Sequence, residues 1–574
     1  MPDPQKSPAS LFADTSISGL RILLFVAGVV LYLSFGYTEM MGSDLWWHLA
    51  AGRELFQTGT PWMVDDWSYS AHGHDWLNHE WFSDVIFHSW AAVFGMDALV
   101  YWKWLVVIAT YLMLQWTLLR ENGNPFAALL CAAIAVALGA PFIDVRPHLY
   151  SLLCYALLLC LLLGREPRRW VLALLFLVWV NLHGGFFFGL MALSVLVFPW
   201  RDFSLPRLRS AVLTCLICVA AASLNPSGLK TFLYPLIYAF DSSSPFRELG
   251  EWHSPFRPGG IRAPLFFYFM WAPALALFYL LPQVRRRTGV PWEGLVLTAL
   301  TLAMALTSRR FIPIFGISLA VMLAPLAALV CNQLRHRAAA FGVAVLVLLF
   351  AAWRVLPYPV QAAPAFHYLT AEYSYPADTV SFMQANHFKG NVFALYNWGG
   401  YLHLRTDGEL KVFIDGRADT LYSAETYLQY VGILNNRPGW MQAIEATGAD
   451  FILWPSTQRN GQGMLQALVG SGKWRLLYQD AVSWLLVRSD RSLPPRLLPS
   501  PPSADRDLSA AMGYARRNDA AKSLEYAQKA RQQEPWQKTA CQLEINLLRH
   551  QQKSAEADAV LAECLASFPT RMLR

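Results

Sequence analysis

Long apolar runs separated by short polar turns fill the first 357 residues of the chain. The runs recur with lengths of about 17–25 residues, which is the length that a helix needs to cross about 30 Å of hydrocarbon. The shorter run 229–240 predicts a re-entrant or interfacial segment. The pattern therefore predicts about eleven membrane-spanning helices, at about 20–36, 97–119, 125–140, 148–164, 169–182, 184–199, 210–224, 264–282, 291–307, 311–331 and 338–356.

The pattern changes after Trp353, where helix-like and strand-like periods alternate as in an α/β domain. We assign this domain to 366–490 and the proline-rich stretch 491–504 to a linker. The predicted helices are TVSFMQANHF, AETYLQYVGIL and GWMQAIEATGA, and the predicted strands are NVFALY, KVFIDGR and DFILWP.

The C-terminal tail, 505–574, is alanine-rich and helical in pattern. Pro535 and Pro569 lie 34 residues apart and close similar segments. This period and the small residues resemble tetratricopeptide repeats, which predicts a short helical tail able to bind a protein partner.

Composition supports a membrane protein, since 55% of the residues are hydrophobic and only 15% are charged. The net charge of +7 does not indicate nucleic-acid binding, because the basic residues gather in short turns between apolar runs. Arginine occupies alternate turns, which places 1–18 in the cytoplasm as a tail and everything after 357 outside. We expect a multi-pass protein of a bacterial-type cytoplasmic membrane, in which Cys541 and Cys564 are free to pair.

The predicted membrane domain, 19–357, has one large outer loop at 37–96. This loop is rich in Asp, Glu, His and Trp, and it follows the first apolar run directly. Asp44 is its first candidate catalytic residue, as a general base or as a ligand for a divalent cation. The alternative role for Asp44 is to cap the following helix. His48, Asp66 and Glu80 are the candidate catalytic helpers.

The order of features in this loop resembles fold-type C glycosyltransferases. An Asp follows the first span, then come an amphipathic helix (LWWHLAAGRELFQTGTPW), an acidic pair and a second helix. The pattern is similar to that of protein O-mannosyltransferases and lipid A aminoarabinose transferases. The resemblance implies a polyprenyl-phosphate-linked sugar donor, an extracytoplasmic reaction and a catalytic role for Asp44. NHEWFSDVIFH (78–88) departs from the family, which has a proline-rich turn there.

Other outer turns supply candidate substrate-binding residues. Arg309 and Arg310 suit bidentate binding of the donor phosphate, or alternatively extend to the membrane interface. The remaining candidates are Arg146, His148, His183 and Glu251. Each of these also fits an ordinary turn or a solvent-facing position.

The soluble domain carries a second resemblance. NVFALYNWGGYLHLR followed by KVFIDGRAD is similar to the tryptophan-rich acceptor-recognition segment of oligosaccharyltransferases, without its central acidic residue. Trp398, Tyr401, Asp415 and Arg417 are therefore candidate acceptor-binding residues. The alternatives are a buried strand–turn–helix and an internal Asp415–Arg417 ion pair.

Together these features predict an integral-membrane glycosyltransferase that uses a lipid-linked sugar and acts on a glycan, lipid or protein outside the cytoplasm. The alternatives are a non-catalytic scaffold or transporter subunit whose tail binds a partner, and an envelope polysaccharide polymerase or ligase. The expected partners are the lipid-linked donor, membrane lipid and a protein at the tail, with no nucleic acid. The sequence fixes no cofactor, and a divalent cation stays open.

Overall fold

The computed structural model describes residues 15–37, 44–240, 244–250, 252–333, 337–356, 360, 375–456, 461–480, 482–535 and 537–565. The chain divides into two compact units. The helical unit comprises Met1–Thr38, Tyr101–Ser242 and Arg247–Leu356. The mixed unit comprises Glu39–Val100, Ser243–Phe246 and Pro357–Arg574. The first loop thus belongs to the same unit as the C-terminal domain, whereas the sequence pattern grouped it with the membrane helices.

The helical unit is built from apolar α-helices joined by short turns. Its helices are Thr15–Phe35, Leu99–Asn122, Pro125–Gly139, His148–Leu162, Arg169–Leu182, Phe186–Val197, Leu205–Ala222, Leu229–Phe240, Pro264–Phe269, Pro282–Thr288, Trp292–Thr307, Ile312–Cys331 and Arg337–Val355. Within the described residues, the 3-10 helices are Met96–Ala98, Ala140–Phe142, Pro245–Glu248, Ala272–Leu280, Arg309–Phe311, Tyr396–Trp398 and Ala418–Thr420.

An apolar helix lies in each predicted span. Within the described ranges, 5 helical stretches are long and apolar enough to cross a membrane, or 6 if a pair bent by 97° at Leu280 counts as one span. The 5 are Met96–Asn122, Pro125–Phe142, Leu205–Ala222, Arg309–Cys331 and Ala338–Val355. The other apolar helices are 10–17 residues long. The chain is therefore a multi-pass membrane protein in composition and helix length, and the count of eleven spans stays a prediction.

Helix Ile312–Cys331 packs closely against helices Pro125–Gly139 and Trp292–Thr307, because glycines at both contacts leave room for the neighbouring backbone. A Cβ at Gly316 would lie 3.0 Å from the Ala135 carbonyl oxygen, and one at Gly294 would lie 3.0 Å from the Met322 nitrogen. Small residues at helix contacts allow such close packing in membrane proteins. The helix consequently buries most of its residues.

The mixed unit contains a five-stranded sheet. Its strands are β3 (Gly390–Ala394), β4 (Leu410–Val412), β5 (Phe451–Pro455), β6 (Trp474–Gln479) and β7 (Ser483–Arg488). They lie in the order β4-β3-β5-β7-β6. Strands β3, β4 and β5 are parallel, β7 pairs antiparallel with β5, and β6 pairs antiparallel with β7. The helices around it are Ala377–Ala385, Gly399–Arg405, Ala424–Leu434, Trp440–Ala446 and Gly461–Gly470. The predicted α/β elements of 366–455 are all present.

The first loop completes this domain at the edge strand β4. It consists of the first loop helix (Asp44–Thr58), a β1–β2 hairpin (Met63–Val64 with Asp75–Trp76) and the second loop helix (Trp81–Phe94). Ser68 pairs with Val412 as a parallel bridge, and the Val412 N–H donates to the Trp67 carbonyl oxygen. The loop thereby covers a strand edge that would otherwise leave its N–H and C=O groups unpaired.

The predicted linker packs against the α/β domain. The Asn386 side chain donates to the Leu498 carbonyl oxygen and accepts from the Leu498 N–H, and Ser500 is buried. Beyond it, the tail forms two helix pairs, Ala504–Arg516 with Ala520–Gln533 and Lys538–His550 with Ser554–Leu565. The pairs begin 34 residues apart, as the proline period predicted. Their assignment as tetratricopeptide repeats stays a prediction.

Candidate functional site

The first loop and the C-terminal domain meet at a buried ion cluster around Arg417. Its Nη1 lies 2.7 Å from Asp65 Oδ1, an ion pair without hydrogen-bond alignment. Its Nε and Nη2 donate to Asp415 at 2.9 and 2.8 Å. All three side chains are shielded from solvent. Burial by itself lowers the pKa of Arg417, but Asp415, Tyr422 and Asp65 raise it well above its usual value. Arg417 is therefore a fixed cation.

Aromatic side chains enclose this cluster. The Arg417 guanidinium lies 4.2 Å from the ring centre of Trp67 and 5.1 Å from that of Trp76. The His403 ring stacks on the Trp67 ring, with 4.1 Å between the ring centres. Burial and the charge of Arg417 hold the pKa of His403 well below its usual value, so the imidazole is neutral.

This geometry decides between the two interpretations of Asp415 and Arg417. Arg417 forms ion pairs with both Asp415 and Asp65. The Asp415–Arg417 contact is the internal ion pair that the sequence left open as an alternative. Trp398 and Tyr401 are also buried, in the hydrophobic core shared with Trp46. None of these four side chains forms an open acceptor-binding surface, and the predicted acceptor role for them is not supported by their placement.

Asp44 opens the first loop helix and is half-buried. Its Oδ1 lies 3.4 Å from the position that a Cβ would take on Gly416, in the turn after β4. The indole Nε1 of Trp47 lies 3.0 Å from the same position. Gly400, from the segment NWGGYL, lets the helix backbone at Trp47 come this close, because a Cβ there would lie 2.9 Å from the Trp47 nitrogen.

His48 joins the two loop helices. Its Nδ1 lies 2.5 Å from Asp84 Oδ1, and Asn78 donates to the other oxygen of Asp84 at 2.8 Å. Glu80 lies farther off, 3.8 Å from His48 Nε2. Both His48 and Asp84 are fully buried. The pair holds the helices at a crossing where Gly52 touches Asp84, because a Cβ on Gly52 would lie 2.3 Å from the Asp84 carbonyl oxygen.

The remaining predicted catalytic helper, Asp66, lies on the surface. Its carboxylate is 3.7 Å from Lys411 Nζ, and its side chain is 61% exposed. The structure thus brings Asp66 to a surface ion pair rather than to the His48–Asp84 pair, which corrects its predicted place beside the other helpers.

Arg309, predicted to bind phosphate, donates its hydrogen bonds to backbone carbonyl groups of its own unit. Its five N–H groups donate to the carbonyl oxygens of His253, Ser254, Arg257, Gly259 and Ile261. The side chain is 2% exposed. Arg309 therefore orders the turn 253–261 and has no N–H left for a phosphate, which corrects its predicted role.

The other cationic candidates lie in two turns of the helical unit. Arg310 stacks over Trp252 at 4.8 Å and is half-buried. Arg146 and His148 flank a turn in which His148 Nε2 hydrogen-bonds the Phe142 carbonyl oxygen at 2.7 Å. Lys103, which the sequence analysis passed over, is fully buried and interacts electrostatically with Asp144 of this turn.

His183 is buried in a hydrogen-bonded network of the helical unit. Its Nδ1 accepts from the Gly185 N–H at 2.9 Å and bonds Ser151 Oγ at 2.7 Å, and Trp179 Nε1 donates to the same oxygen. Two donors at Nδ1 place the ring proton on Nε2. Glu251 lies outside the described residues.

In the described part of the chain, no group of three or more His, Cys, Asp or Glu side chains is arranged to hold a metal ion. His72 and His74 are exposed on the β1–β2 hairpin.

Sequence reasoning missed Asp84, Lys103, Gly416, the proximity of Trp47 to Gly416 and the structural role of Asp65. One local signal was available for Asp84, which lies one helical turn after Glu80 on the second loop helix. Gly416 and Trp47 carried no such signal, because their proximity depends on the packing of segments far apart in sequence.

No protein-family model matches the sequence, and the curated proteins contain no match to it. Solved structures do match. The oligosaccharyltransferase of Archaeoglobus fulgidus, in its apo form, aligns with a TM-score of 0.50 and 13% identity over 88% of this chain and 77% of its own. ArnT from Cupriavidus metallidurans, also apo, aligns with a TM-score of 0.46 and 14% identity over 84% of this chain and 100% of its own.

At such low identity the likeness is one of fold. The match to the oligosaccharyltransferase extends over most of both chains. It confirms the predicted resemblance to fold-type C membrane glycosyltransferases at the level of the fold. The fold leaves the donor and the acceptor open, because one fold supports many functions.

Proposed function

We propose that this protein is an integral-membrane glycosyltransferase that moves a sugar from a polyprenyl-phosphate carrier to an acceptor outside the cytoplasm. The shared fold supports this class of reaction. The observation that carries the proposal is the position of Asp44, a half-buried carboxylate that faces the side-chain-free Gly416 within the mixed unit.

Asp44 acts as the general base in this proposal. It accepts the proton of the acceptor as the acceptor attacks the anomeric carbon of the sugar. Phosphate is a competent leaving group once its charge is balanced, so placement and electrostatics supply most of the acceleration. Arg310, Arg146 and His148, which belong to the helical unit, stay candidate donor-binding residues.

In this proposal, His48 and Glu80 support the position of Asp44 and do not contact the reacting atoms. His48 with Asp84 fixes the first loop helix against the second, and so it fixes the direction of Asp44. Fixing a reacting group within a fraction of an ångström is worth orders of magnitude in rate. We therefore assign His48 a positioning role.

The test compares Asp44→Asn with the wild type. Asp44→Asn keeps the shape of the side chain and removes its basicity. Purified full-length protein in lipid nanodiscs is given a panel of radiolabelled undecaprenyl-phosphate sugars together with cell-envelope acceptor fractions, and labelled product is quantified. Mass spectrometry of envelope glycans, with and without the protein, identifies the acceptor pool.

We expect Asp44→Asn to lower transfer by at least about 100-fold, as loss of a general base does. Asp407→Asn is the matched control, because Asp407 lies in the same unit, is 81% exposed and pairs with Arg53. Full activity of Asp44→Asn in a folded, membrane-inserted protein would remove Asp44 from the mechanism. Loss of activity in Asp407→Asn as well would show a general effect of charge removal.

A further inference from the structure

An apolar groove lies between two helices of the helical unit, Phe186–Val197 and Leu205–Ala222. Ala211 and Cys215, one helical turn apart, form its floor, because their small side chains leave space between the two helices. Leu216, on the same helix, borders the groove and is 59% exposed. The groove is therefore open at the surface of the unit along part of a helix that is long and apolar enough to cross a membrane.

The lining of the groove suits a hydrocarbon chain. The described side chains that line it are hydrocarbon apart from Ser194 and Cys215, and the Ser194 hydroxyl already donates to the Met191 carbonyl oxygen at 2.7 Å. The groove holds about 240 Å³, less than the roughly 300–1,000 Å³ of pockets that enclose whole small molecules. It has room for one chain and leaves any headgroup outside.

Aromatic residues place one end of the groove at the membrane interface. Phe198 lines this end and packs against Trp200 and Phe203, with 4.5 and 6.1 Å between ring centres. Phe203 is 65% exposed, and the Trp200 indole N–H donates to the Val195 carbonyl oxygen. Tryptophan side chains concentrate at the depth of the lipid headgroups. A chain in the groove would consequently have its headgroup beside the turn that joins the two helices.

Arg209 supplies positive charge at this end. It lies three residues before Val212 and seven before Leu216, which puts it on the side of the helix that borders the groove. Side chains of a helix point toward its N-terminus, so the Arg209 side chain extends toward the joining turn. It is exposed, and within the described residues it makes no hydrogen bond or ion pair.

The neighbouring arginines of this turn are paired. Arg207 donates to Asp202 at 2.8 Å, and Arg201 lies 3.8 Å from Glu293. Arg209 is the cation beside the groove whose charge is left over among the described residues. A guanidinium binds two oxygens of a phosphate at once, and basic residues beside membrane helices attract anionic lipid headgroups.

The predicted orientation separates two kinds of lipid. The alternation of arginine-rich turns places this turn on the cytoplasmic side, where anionic phospholipids give the membrane surface its negative potential. The proposed sugar transfer takes place at the other face of the membrane. The phosphate of the sugar donor would therefore not lie beside Arg209.

We propose that this groove binds one anionic phospholipid, with an acyl chain along Ala211 and Cys215 and the phosphate held by Arg209. The site goes beyond the proposed glycosyl transfer and takes no part in it. The chain supplies contact partners to side chains that otherwise border empty space, and the headgroup supplies the negative charge that Arg209 lacks.

The first test measures binding to full-length protein by native mass spectrometry from detergent micelles. Dioleoyl phosphatidylglycerol and dioleoyl phosphatidylcholine, which share their chains and differ in net charge, are titrated separately. We expect the first phosphatidylglycerol to bind about fivefold more tightly, which corresponds to about 1 kcal/mol. Glycerol 3-phosphate, which has the phosphate without the chains, should not displace it.

Arg209→Gln tests the headgroup contact. It should reduce the preference for phosphatidylglycerol over phosphatidylcholine to less than about twofold, whereas Arg209→Lys, which keeps the charge, should retain most of it. Arg286→Gln is the matched control, because Arg286 is an exposed arginine of the same unit in helix Pro282–Thr288. It should leave the preference unchanged.

Cys215→Trp tests the chain contact. Its ring would fill the floor of the groove, so we expect the affinity for both lipids to fall at least tenfold. Leu213→Trp is the matched control, because Leu213 is 45% exposed on the same helix and does not line the groove. It should bind both lipids as the wild type does.

Cross-linking of the wild type keeps the proposal testable if a variant fails to fold. Phosphatidylglycerol with a diazirine in one acyl chain is added in detergent at one lipid per protein, and the labelled peptides are identified by mass spectrometry. We expect label within 194–198 and 211–219, and we expect excess phosphatidylglycerol to suppress it more than excess phosphatidylcholine does.

Four results would overturn the proposal. They are equal affinity for the two lipids, equal effects of Arg209→Gln and Arg286→Gln, label confined to other helices, and displacement of phosphatidylglycerol by undecaprenyl phosphate at lower concentration. A dimer that Cys215→Trp dissociates would assign the groove to a second copy of the chain and would overturn it as well. The proposed glycosyl transfer stands or falls separately, on Asp44→Asn.

Discussion

Arg417 Nη1 and Asp65 Oδ1 lie 2.7 Å apart although 352 positions separate the two residues in the chain, and neither side chain is exposed. The contact ties the first loop to the C-terminal domain within one unit. The segment that carries Asp44 is consequently positioned by residues that follow the last apolar helix.

Replacing Arg417 with Met tests how much this contact contributes to the free energy of unfolding. The change leaves Asp65 and Asp415 buried without their cation, and breaking a buried pair costs about 3–5 kcal/mol. We expect the free energy of unfolding of the mixed unit, followed by tryptophan fluorescence in denaturant, to fall by that amount.

Lys389→Met serves as the control for Arg417→Met. Lys389 pairs with Glu409 on the surface, where its side chain is 65% exposed, and such pairs contribute about 0–1 kcal/mol. Equal losses in the two variants would contradict the structural importance that we assign to the Arg417 cluster.

The stability of the mixed unit should depend on pH through His403. Burial and the positive charges of Arg417, Arg53 and Lys411 lower the pKa of His403 in the folded protein. The unfolded chain therefore binds this proton more readily, and stability rises with pH. The contribution is complete above the ordinary His pKa of about 6.5 and is lost as pH falls below it.

The measurement is the free energy of unfolding between pH 7 and pH 5. One proton contributes a slope of up to about 1.4 kcal/mol per pH unit. His403→Phe keeps a ring on Trp67 and should flatten the profile, whereas His72→Gln, on the exposed hairpin, should keep the wild-type slope. A profile that His403→Phe leaves unchanged would assign the dependence to other groups.

His48 and Asp84 should be energetically coupled. Their 2.5 Å contact is fully buried, and hydrogen bonds to charged groups contribute about 1.5–3 kcal/mol. A double-mutant cycle with His48→Gln and Asp84→Asn should give a coupling free energy in that range. The exposed pair Arg53 and Asp407, treated with the same kind of substitutions, should give less than about 1 kcal/mol.

The activity of the same variants distinguishes a positioning role from a catalytic one. If His48 positions Asp44, His48→Gln lowers kcat without shifting the pH profile of the reaction. A displaced pH optimum would instead indicate that His48 exchanges a proton with the substrate.

The tail should be oxidised in its native compartment. Cys541 and Cys564 form a disulfide between the last two helices, and such bonds persist outside the cytoplasm. In intact cells, these thiols should resist maleimide labelling until a reductant is added. Labelling without reductant would place the tail in the cytoplasm and contradict the predicted orientation.

Loss of the disulfide should loosen only the tail. The bond closes a loop with a sequence separation of 23 residues, for which about 2–4 kcal/mol of stabilisation is typical. In the variant with Cys541→Ser and Cys564→Ser, hydrogen exchange should quicken in 538–565 and stay unchanged in the sheet strands β3 to β7.

Much of the fold was predictable because it depends on local sequence patterns. Apolar runs gave the helices of the helical unit, and short strand-like apolar runs gave β3, β4 and β5. The helix after the first span and the 34-residue offset of the tail helices are also local features. The fold type followed from the order of such features in the first loop.

The site was less predictable, as Arg309 and Arg417 illustrate. Both are arginines beside candidate turns, and for each the sequence leaves both a binding role and a structural role open. Their roles depend on what surrounds them, namely five carbonyl groups for Arg309 and two carboxylates with two indole rings for Arg417.

By itself, the sequence determined which segments are helices or strands and that ionisable residues gather in the first loop, because hydrophobic period and turn chemistry act over a few residues. Tertiary structure alone decided that this loop folds with the C-terminal domain and that Asp44 and Trp47 face Gly416. Such contacts join segments hundreds of residues apart, and they are set by packing and by the need to pair buried charge, which local pattern does not encode.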